Sequence, residues 1–417
     1  MKIAYLSTYQ PRKCGLATFN DNLIKAIDLH VPFTSNGSFV IAVNDSNEYD
    51  YDQNVRYVIH QENIVDYEEA AALINRSGVD ICCIQHEFGI YGGENGVFLL
   101  SLTRSLNVPF IVIFHTVLEF PDANQSIIVK TLAKKAEQVV VMSKKAIQLL
   151  VQIYGITPSK IQVIPHGVPD LSLPEKKLLL EKFRLQGKKI LLTFGLISPN
   201  KGLETVIKAL PDLCTFHPDI VYIILGKTHP NVERLHGEAY LDSLRQLAQQ
   251  LHVEDHLLFI SDFVSENELH NYLTICDLYI TPYLHKEQIT SGALSYAVGA
   301  GAAVISTPYW HAQELLEDGR GRFFDFGQHT QLAKLVADLL GHPEQIDEMK
   351  DRAYDYGLSL RWPIIGQTYA KLFYLCAGNH KLLPNKGQDT TNSLEIPSFL
   401  PPFRPSRQKG IRSTSTG

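Results

Sequence analysis

The sequence predicts an α/β protein built as two Rossmann-like domains facing a cleft. Three observations predict it. Apolar runs of strand length alternate with helical stretches along most of the chain, the pattern of parallel sheets covered on both faces. That pattern breaks at Pro165-His166-Gly167 and a charged linker, then starts again at Lys189. The 417 residues suffice for two or three domains.

The first half begins with a buried-strand pattern at Lys2–Leu6. It enters the loop STYQPRKCGLATF and then a helix to about Asp28. Gly15 is expected to let that loop turn tightly and approach a ligand. Further strands are expected at Phe39–Val43, Val55–Ile59, Val79–Gln85, Phe110–Phe114 and Gln138–Met142. Helices are expected near Asp66–Arg76, Gly96–Leu106 and Asn124–Glu137. Ligands of such sheets sit beyond the carboxyl ends of the strands. The residues there are the Ser7–Gly15 loop, Gln85-His86-Glu87, His115-Thr116 with Glu119, and Ser143.

The second half repeats the scheme. Lys189–Phe194 reads as a strand, GLISPNKG as a loop and Leu203–Phe216 as a helix. Asp219–Leu225, Leu257–Ile260 and Asp277–Thr281 read as strands, with helices at Tyr240–Leu251 and Glu266–Thr274. Pro282–Leu315 follows, and the rest of the chain is organised around it. A polar loop carries His285 to Gln288, Thr290 and Ser291 stand where a helix cap is wanted, and small apolar residues run from Gly292. Gly299 and Gly301 stop that helix, and Ala302–Ser306 is the next strand. A helix N-terminus beside a carboxylate can hold a phosphate and a sugar hydroxyl together. Two amphipathic stretches, Gln328–Leu340 and Pro343–Tyr356, precede a last helix bearing Trp362, Ile365, Tyr369 and Phe373. From Leu383 on, the chain is rich in Pro, Ser, Thr and Asn, and disorder is expected.

Composition narrows the classes. Apolar content of 45% and charged content of 20% suit a soluble globular protein. A net charge of −6 argues against a general nucleic-acid binder. The six cysteines form no C-x-x-C pair and mostly lie in apolar runs, so they are expected to be reduced, in a cytoplasmic protein. The first residues turn polar too soon for a signal peptide. No apolar run approaches the ~18–20 residues of a membrane span. None of the sixteen histidines forms an H-x3-H or H-E-x2-H set, and Asp50-Tyr51-Asp52 lies in a polar loop, so no metal is expected.

The second half resembles the retaining glycosyltransferases of the GT-B fold, glycosyltransferase family 4. FGLISPNKGLETVIKAL, with Gly195, Lys201 and Gly202, is similar to the loop and helix that hold the donor diphosphate. VYIILGKTHP resembles the next strand and loop. ISDFVSENELHNYLTICDLYITPY, with Phe263, is similar to the segment lining the nucleotide base. Pro282–Leu315 resembles the E-x7-E donor motif, with Glu287 as its first glutamate. In the first half, the loop at Gly15, FHTVL and VIPHGV sit where the family has its glycine loop, its reaction-centre histidine and its domain-closing turn. The resemblance covers about residues 1–375. The sequence departs from the family at two places. Leu196 follows Gly195 where the family has Arg, and Ser295 stands eight positions after Glu287 where the family has its ribose-binding Glu.

The resemblance implies retaining, metal-independent transfer of mannose or glucose from GDP-mannose or UDP-glucose to a saccharide or other hydroxyl acceptor, with no cofactor. Catalytic roles fall on His115 and Glu287. Donor binding falls on Gly15, Gly195, Lys201, Gly202, Phe263, Gln288, Ile289, Thr290, Ser291 and Ser295. Gln85, His86 and Glu87 are expected on the acceptor side. The expected divisions are 1–170 for the acceptor-side domain, 171–188 for a linker and 189–357 for the donor domain. Residues 358–382 are expected to form a helix crossing back to the first domain, and 383–417 a disordered tail. The two departures leave a second expectation, a degenerate protein that binds a nucleotide sugar without turnover.

Overall fold

The computed structural model describes residues 1–31, 37–45, 48–170 and 174–381. The expected tail and the first residues of the expected linker lie outside them. Seven strands make the first sheet: β1 (Ile3–Ser7), β2 (Phe39–Asn44), β3 (Val55–His60), β4 (Ile81–His86), β5 (Phe110–Phe114), β6 (Gln138–Val141) and β7 (Ile161–Val163). Six make the second: β8 (Lys189–Phe194), β9 (Ile220–Leu225), β10 (Leu257–Ile260), β11 (Leu278–Thr281), β12 (Val304–Ser306) and β13 (Gly321–Phe323). Every pairing is parallel. The spatial orders are β3-β2-β1-β4-β5-β6-β7 and β10-β9-β8-β11-β12-β13. The predicted architecture of two doubly wound sheets is therefore the observed one.

The strands are apolar throughout because both faces are covered. In the first sheet Ala4, Leu6, Cys82, Ile84, Val112 and Phe114 enter one core, while Ile3, Tyr5, Ile81, Cys83, Ile111 and Ile113 enter the other. The helix Gly15–Asp28 closes the second of these through Phe19, Leu23 and Ile27. The helix Trp362–Lys381 packs beside it through Ile365, Tyr369 and Phe373. That stripe of aromatics is core packing. Where the chain leaves the first half and returns to it, the two passes pair, with Val168 N–H donating to Leu360 O and Trp362 N–H to Val168 O, both at 2.9 Å.

Several elements differ from expectation. The helix expected over Gly96–Leu106 runs only over Leu99–Ser105. Gly93, Asn95 and Gly96 all have positive φ, which a right-handed helix excludes. The helices Lys144–Gln152, Pro230–His236 and Trp310–Leu315 and the strand β13 were not expected. Three of these four are short, and β13 is a three-residue edge strand defined by its pairing with β12. No helix of the described residues is long and apolar enough to cross a membrane.

The strand orders place the candidate site. In each sheet the order reverses once, between β1 and β4 in the first and between β8 and β11 in the second. Adjacent crossovers there leave to opposite faces and open a crevice at the carboxyl ends. Side chains join the two halves nearby. Ile289 and Trp310 from the second half enter the first sheet's core. Asn22 Nδ2 donates to Glu266 Oε1 at 2.6 Å, and Lys286 pairs with Glu119 at 3.3 Å. Glu314 accepts from the N–H groups of Lys144 and Lys145 at 2.8 and 2.7 Å, where an anion at a helix start is favourable.

Candidate active site

On the second sheet, β8 ends at Phe194 and the chain turns at Gly195 with φ +131. A Cβ there would point at the Ala293 methyl, 3.8 Å away, in the gap before the helix Gly292–Gly299. Lys201 ends a short 3₁₀ turn, and Gly202 follows with φ +64. A Cβ on Gly202 would lie 2.2 Å from Pro282 O and 2.7 Å from Leu284 Cδ2. The Gly195–Gly202 and Pro282–Ser291 loops are thus locked together. Leu284 N–H donates to Asn200 O at 3.1 Å, and Lys201 Nζ donates to the Tyr283 hydroxyl at 2.7 Å.

Ser291 caps the helix Gly292–Gly299, its Oγ accepting from Leu294 N–H at 3.2 Å. Its own N–H donates to His311 Nδ1 at 2.9 Å. The N–H groups of Gly292 and Ala293 take no acceptor among the described residues. They, rather than the N–H of Ser291, are the helix donors open to an anion. Ser295 does not serve as expected. It is 1% exposed, and its Oγ donates back to Ser291 O at 3.0 Å, one turn earlier. Thr290 Oγ1 is buried without a partner. Gln288 donates its side-chain amide to Thr290 O. Glu287 is exposed at the mouth of the cleft.

On the first sheet, His115 follows β5, with its ring edge-on to Phe19 at 4.9 Å. Its Nε2–H donates to Gln85 Oε1 at 2.8 Å, which leaves Nδ1 as an acceptor. Thr116 Oγ1 donates to Glu87 Oε2 at 2.6 Å. Burial pushes the Glu87 carboxyl up, against the hydrogen bonds from Thr116 and Phe88 N–H. His86 is a correction. Side chains alternate across a strand, so Gln85 and His86 face opposite sides. His86 packs at 4.9 Å from Phe88 and 5.1 Å from Phe114, with neither ring nitrogen bonded. It belongs to the core.

A cleft of about 210 Å³ joins the two edges. It brings His115 and Thr116 of the first half against Asn200, Tyr283, Glu287, Gln288 and Ile289 of the second. Gln85 and Glu87 stand one bond behind it, on His115 and Thr116. Lys201 meets it through Tyr283. Gly15 starts its helix without the positive φ of a tight turn, and the space beside its Cα is open. Phe263, 40% exposed, stands on the loop after β10 and does not line the cleft. Sequence reasoning missed Tyr283, Asn200 and His311. The first two sit in the quoted loops, and the third carries no local signal. Among the described residues no group of three His, Cys, Asp or Glu side chains is placed to hold a metal. Asp52 is spent on the backbone and side-chain amides of Asn54.

Burial holds four imidazoles neutral around this region. His86, His115 and His311 are pushed down to about 3 by desolvation, and His166 to about 4. A free imidazole titrates near 6.5, so below that pH the unfolded chain binds protons that the folded chain refuses. Stability is therefore fully present above about 6.5 and falls as the pH drops towards about 3. His86, His166 and His311, the three that are buried outright, each contribute about 2 kcal/mol to the difference between pH 7 and pH 5. The melting midpoint is expected to drop steeply over that interval. A midpoint flat from pH 7 to 5 would contradict these placements.

Residues 176–356 match the family described as Glycosyl transferases group 1, and residues 44–170 match Glycosyltransferase Family 4. The chain is 21% identical over 382 residues to alpha-monoglucosyldiacylglycerol synthase of Streptococcus pneumoniae, covering 84% of this chain and 81% of that protein. It is 24% identical over 223 residues to the GDP-mannose-dependent alpha-(1-6)-phosphatidylinositol monomannoside mannosyltransferase of Mycolicibacterium smegmatis, covering 51% of this chain and 56% of that protein. The chain spans about half the length of several curated relatives that it matches. Its fold superposes on Anabaena Alr3699/HepE in complex with UDP and glucose with a TM-score of 0.72, at 15% identity, over 90% of this chain and all of that one. With both family profiles in chain order on two facing doubly wound sheets, the chain belongs to the group 1/family 4 glycosyltransferases and has the GT-B fold.

Proposed function

We propose that this protein is a retaining, metal-independent hexosyltransferase that moves mannose or glucose from a nucleotide sugar to an acceptor hydroxyl. The observation that carries the reading is the single cleft in which His115, from one sheet's carboxyl edge, faces Glu287, from the other's. Lys201 and the N–H groups of Gly292 and Ala293 meet the negative charge of the departing diphosphate. Glu287 accepts hydrogen bonds from the sugar hydroxyls and orients the ring. His115 is neutral, so its Nδ1 accepts a hydroxyl proton's hydrogen bond without adding charge at the anomeric centre. The acceptor hydroxyl attacks from the face that the diphosphate leaves. GDP-mannose and UDP-glucose are the donors that the named relatives and the UDP-bound neighbour favour.

Thermal melting with UDP, GDP and ADP tests the reading. At a hundred times its dissociation constant a ligand adds about 2.7 kcal/mol. One nucleotide is expected to raise the midpoint alone and so to name the donor. No shift with any of the three counts against the reading.

A second reading, a nucleotide-sugar binder without turnover, is favoured by one observation. Ser295 turns its hydroxyl inward, so this helix offers the ribose no side chain where the family has a carboxylate. Donor binding at saturation with neither transfer nor hydrolysis would favour this second reading over the first.

A further inference from the structure

We infer that His311 is the positioning residue for the Glu287 loop, which it holds by the N–H of Ser291 through a neutral ring. For catalysis the inference rests on the glycosyl-transfer reading; the hold itself does not. The loop bearing Glu287 is tied to the start of the helix Trp310–Leu315 three times. Lys286 O accepts from Trp310 N–H at 3.0 Å, and Gln288 O accepts from His311 N–H at 3.1 Å. The third tie is Ser291 N–H to His311 Nδ1 at 2.9 Å, across twenty residues of sequence.

The first two ties are backbone pairs, from Trp310 and from position 311, that any residue but proline at 311 leaves in place. Only the third depends on the side chain. A backbone N–H only donates, so His311 Nδ1 must carry the lone pair and its proton must sit on Nε2. His311 is 2% exposed and Ser291 is 5% exposed, so water does not replace a lost partner. Ser291 is the cap of the helix Gly292–Gly299, and holding its N–H sets where the open N–H groups of Gly292 and Ala293 point. One ring therefore anchors the backbone that bears Glu287 on one side of Ser291 and the anion donors on the other. His166 packs at the same helix start, 3.0 Å from where a Gly292 Cβ would stand.

The atom that accepts makes the inference testable. Asparagine places Oδ1 where His311 places Nδ1, whereas glutamine places its oxygen at the ε position. The experiment compares His311→Asn, His311→Gln and His311→Ala in the full chain. Without ligand, Ser291 amide exchange is expected to stay near wild type in His311→Asn and to quicken about 10-fold or more in the other two. With the donor named by the melting screen, KM for that donor is expected to rise about 10- to 100-fold in His311→Gln and His311→Ala. In His311→Asn it is expected to stay within about threefold. Equal exchange in His311→Asn and His311→Gln overturns the hold on Ser291. Separated exchange with unchanged KM overturns the positioning role. A wild-type protein that binds no nucleotide sugar defeats the glycosyl-transfer reading alone, because the exchange contrast is read without ligand.

Discussion

Lys201→Ala and Glu287→Ala are each expected to lower turnover on the order of 10²–10³-fold, the scale for removing one electrostatic stabiliser from a preorganised site. On the proposed glycosyl-transfer reading, the two residues act on opposite ends of the breaking bond. Lys201 spends one of its three N–H donors on Tyr283, which leaves two for phosphate oxygens. Glu287 makes no hydrogen bond or ion pair among the described residues and lies at the cleft mouth, so its oxygens are free for sugar hydroxyls. Its truncation disturbs no core packing, and stability is expected to change by about 0.5 kcal/mol or less. For Glu287→Ala, lost rate at unchanged melting midpoint is therefore the signature. Lys201→Arg, which keeps the charge, is expected to lose less than Lys201→Ala. Steady-state kcat/KM with the donor named by the melting screen checks all three. Near-wild-type rates in both alanine variants would remove the assignment.

Gly202→Ala is expected to cost about 1–3 kcal/mol of stability and most of the donor affinity. Two effects add. The backbone at φ +64 disfavours an L side chain by about 1–2 kcal/mol. The new Cβ would also stand 2.2 Å from Pro282 O, a backbone atom that cannot rotate away. Relief requires moving the Lys201 turn or the start of the Glu287 loop, and either shifts Lys201 relative to Glu287. Gly15→Ala is the control. Nothing lies within 4 Å of its new Cβ, and the first turn of a helix favours alanine over glycine. Its melting midpoint is expected to hold. A Gly202→Ala protein as stable and as tight for donor as wild type would show that the two loops are not locked.

Much of the fold is legible in the sequence because apolar runs such as Phe110–Phe114 have no other way to bury both faces than in a covered parallel sheet. The strand ends were legible for the same reason, and with them the place of His115, whereas Glu287 was singled out by its resemblance to the E-x7-E motif and not by a strand end. The helix Gly292–Gly299 was legible from its cap, since Ser291 and the glycine after the helix are local chemistry. Short elements were not. A three-residue strand such as β13 has no period to read.

Sequence alone determined the long strands and most of the long helices, and hence which loops gather at the two sheet edges. Tertiary structure decided which way individual side chains serve. Gln85 supports His115 while His86 sinks into the core, because the helix Gly15–Asp28 covers one face of β4 and different side chains cover the other. Ser295 turns inward on its helix, and His311 reaches back across twenty residues to Ser291. Local patterns act through a few bonds and fix backbone conformation. Partners are chosen by crossovers that bring distant segments within about 3 Å, and no local pattern encodes that distance.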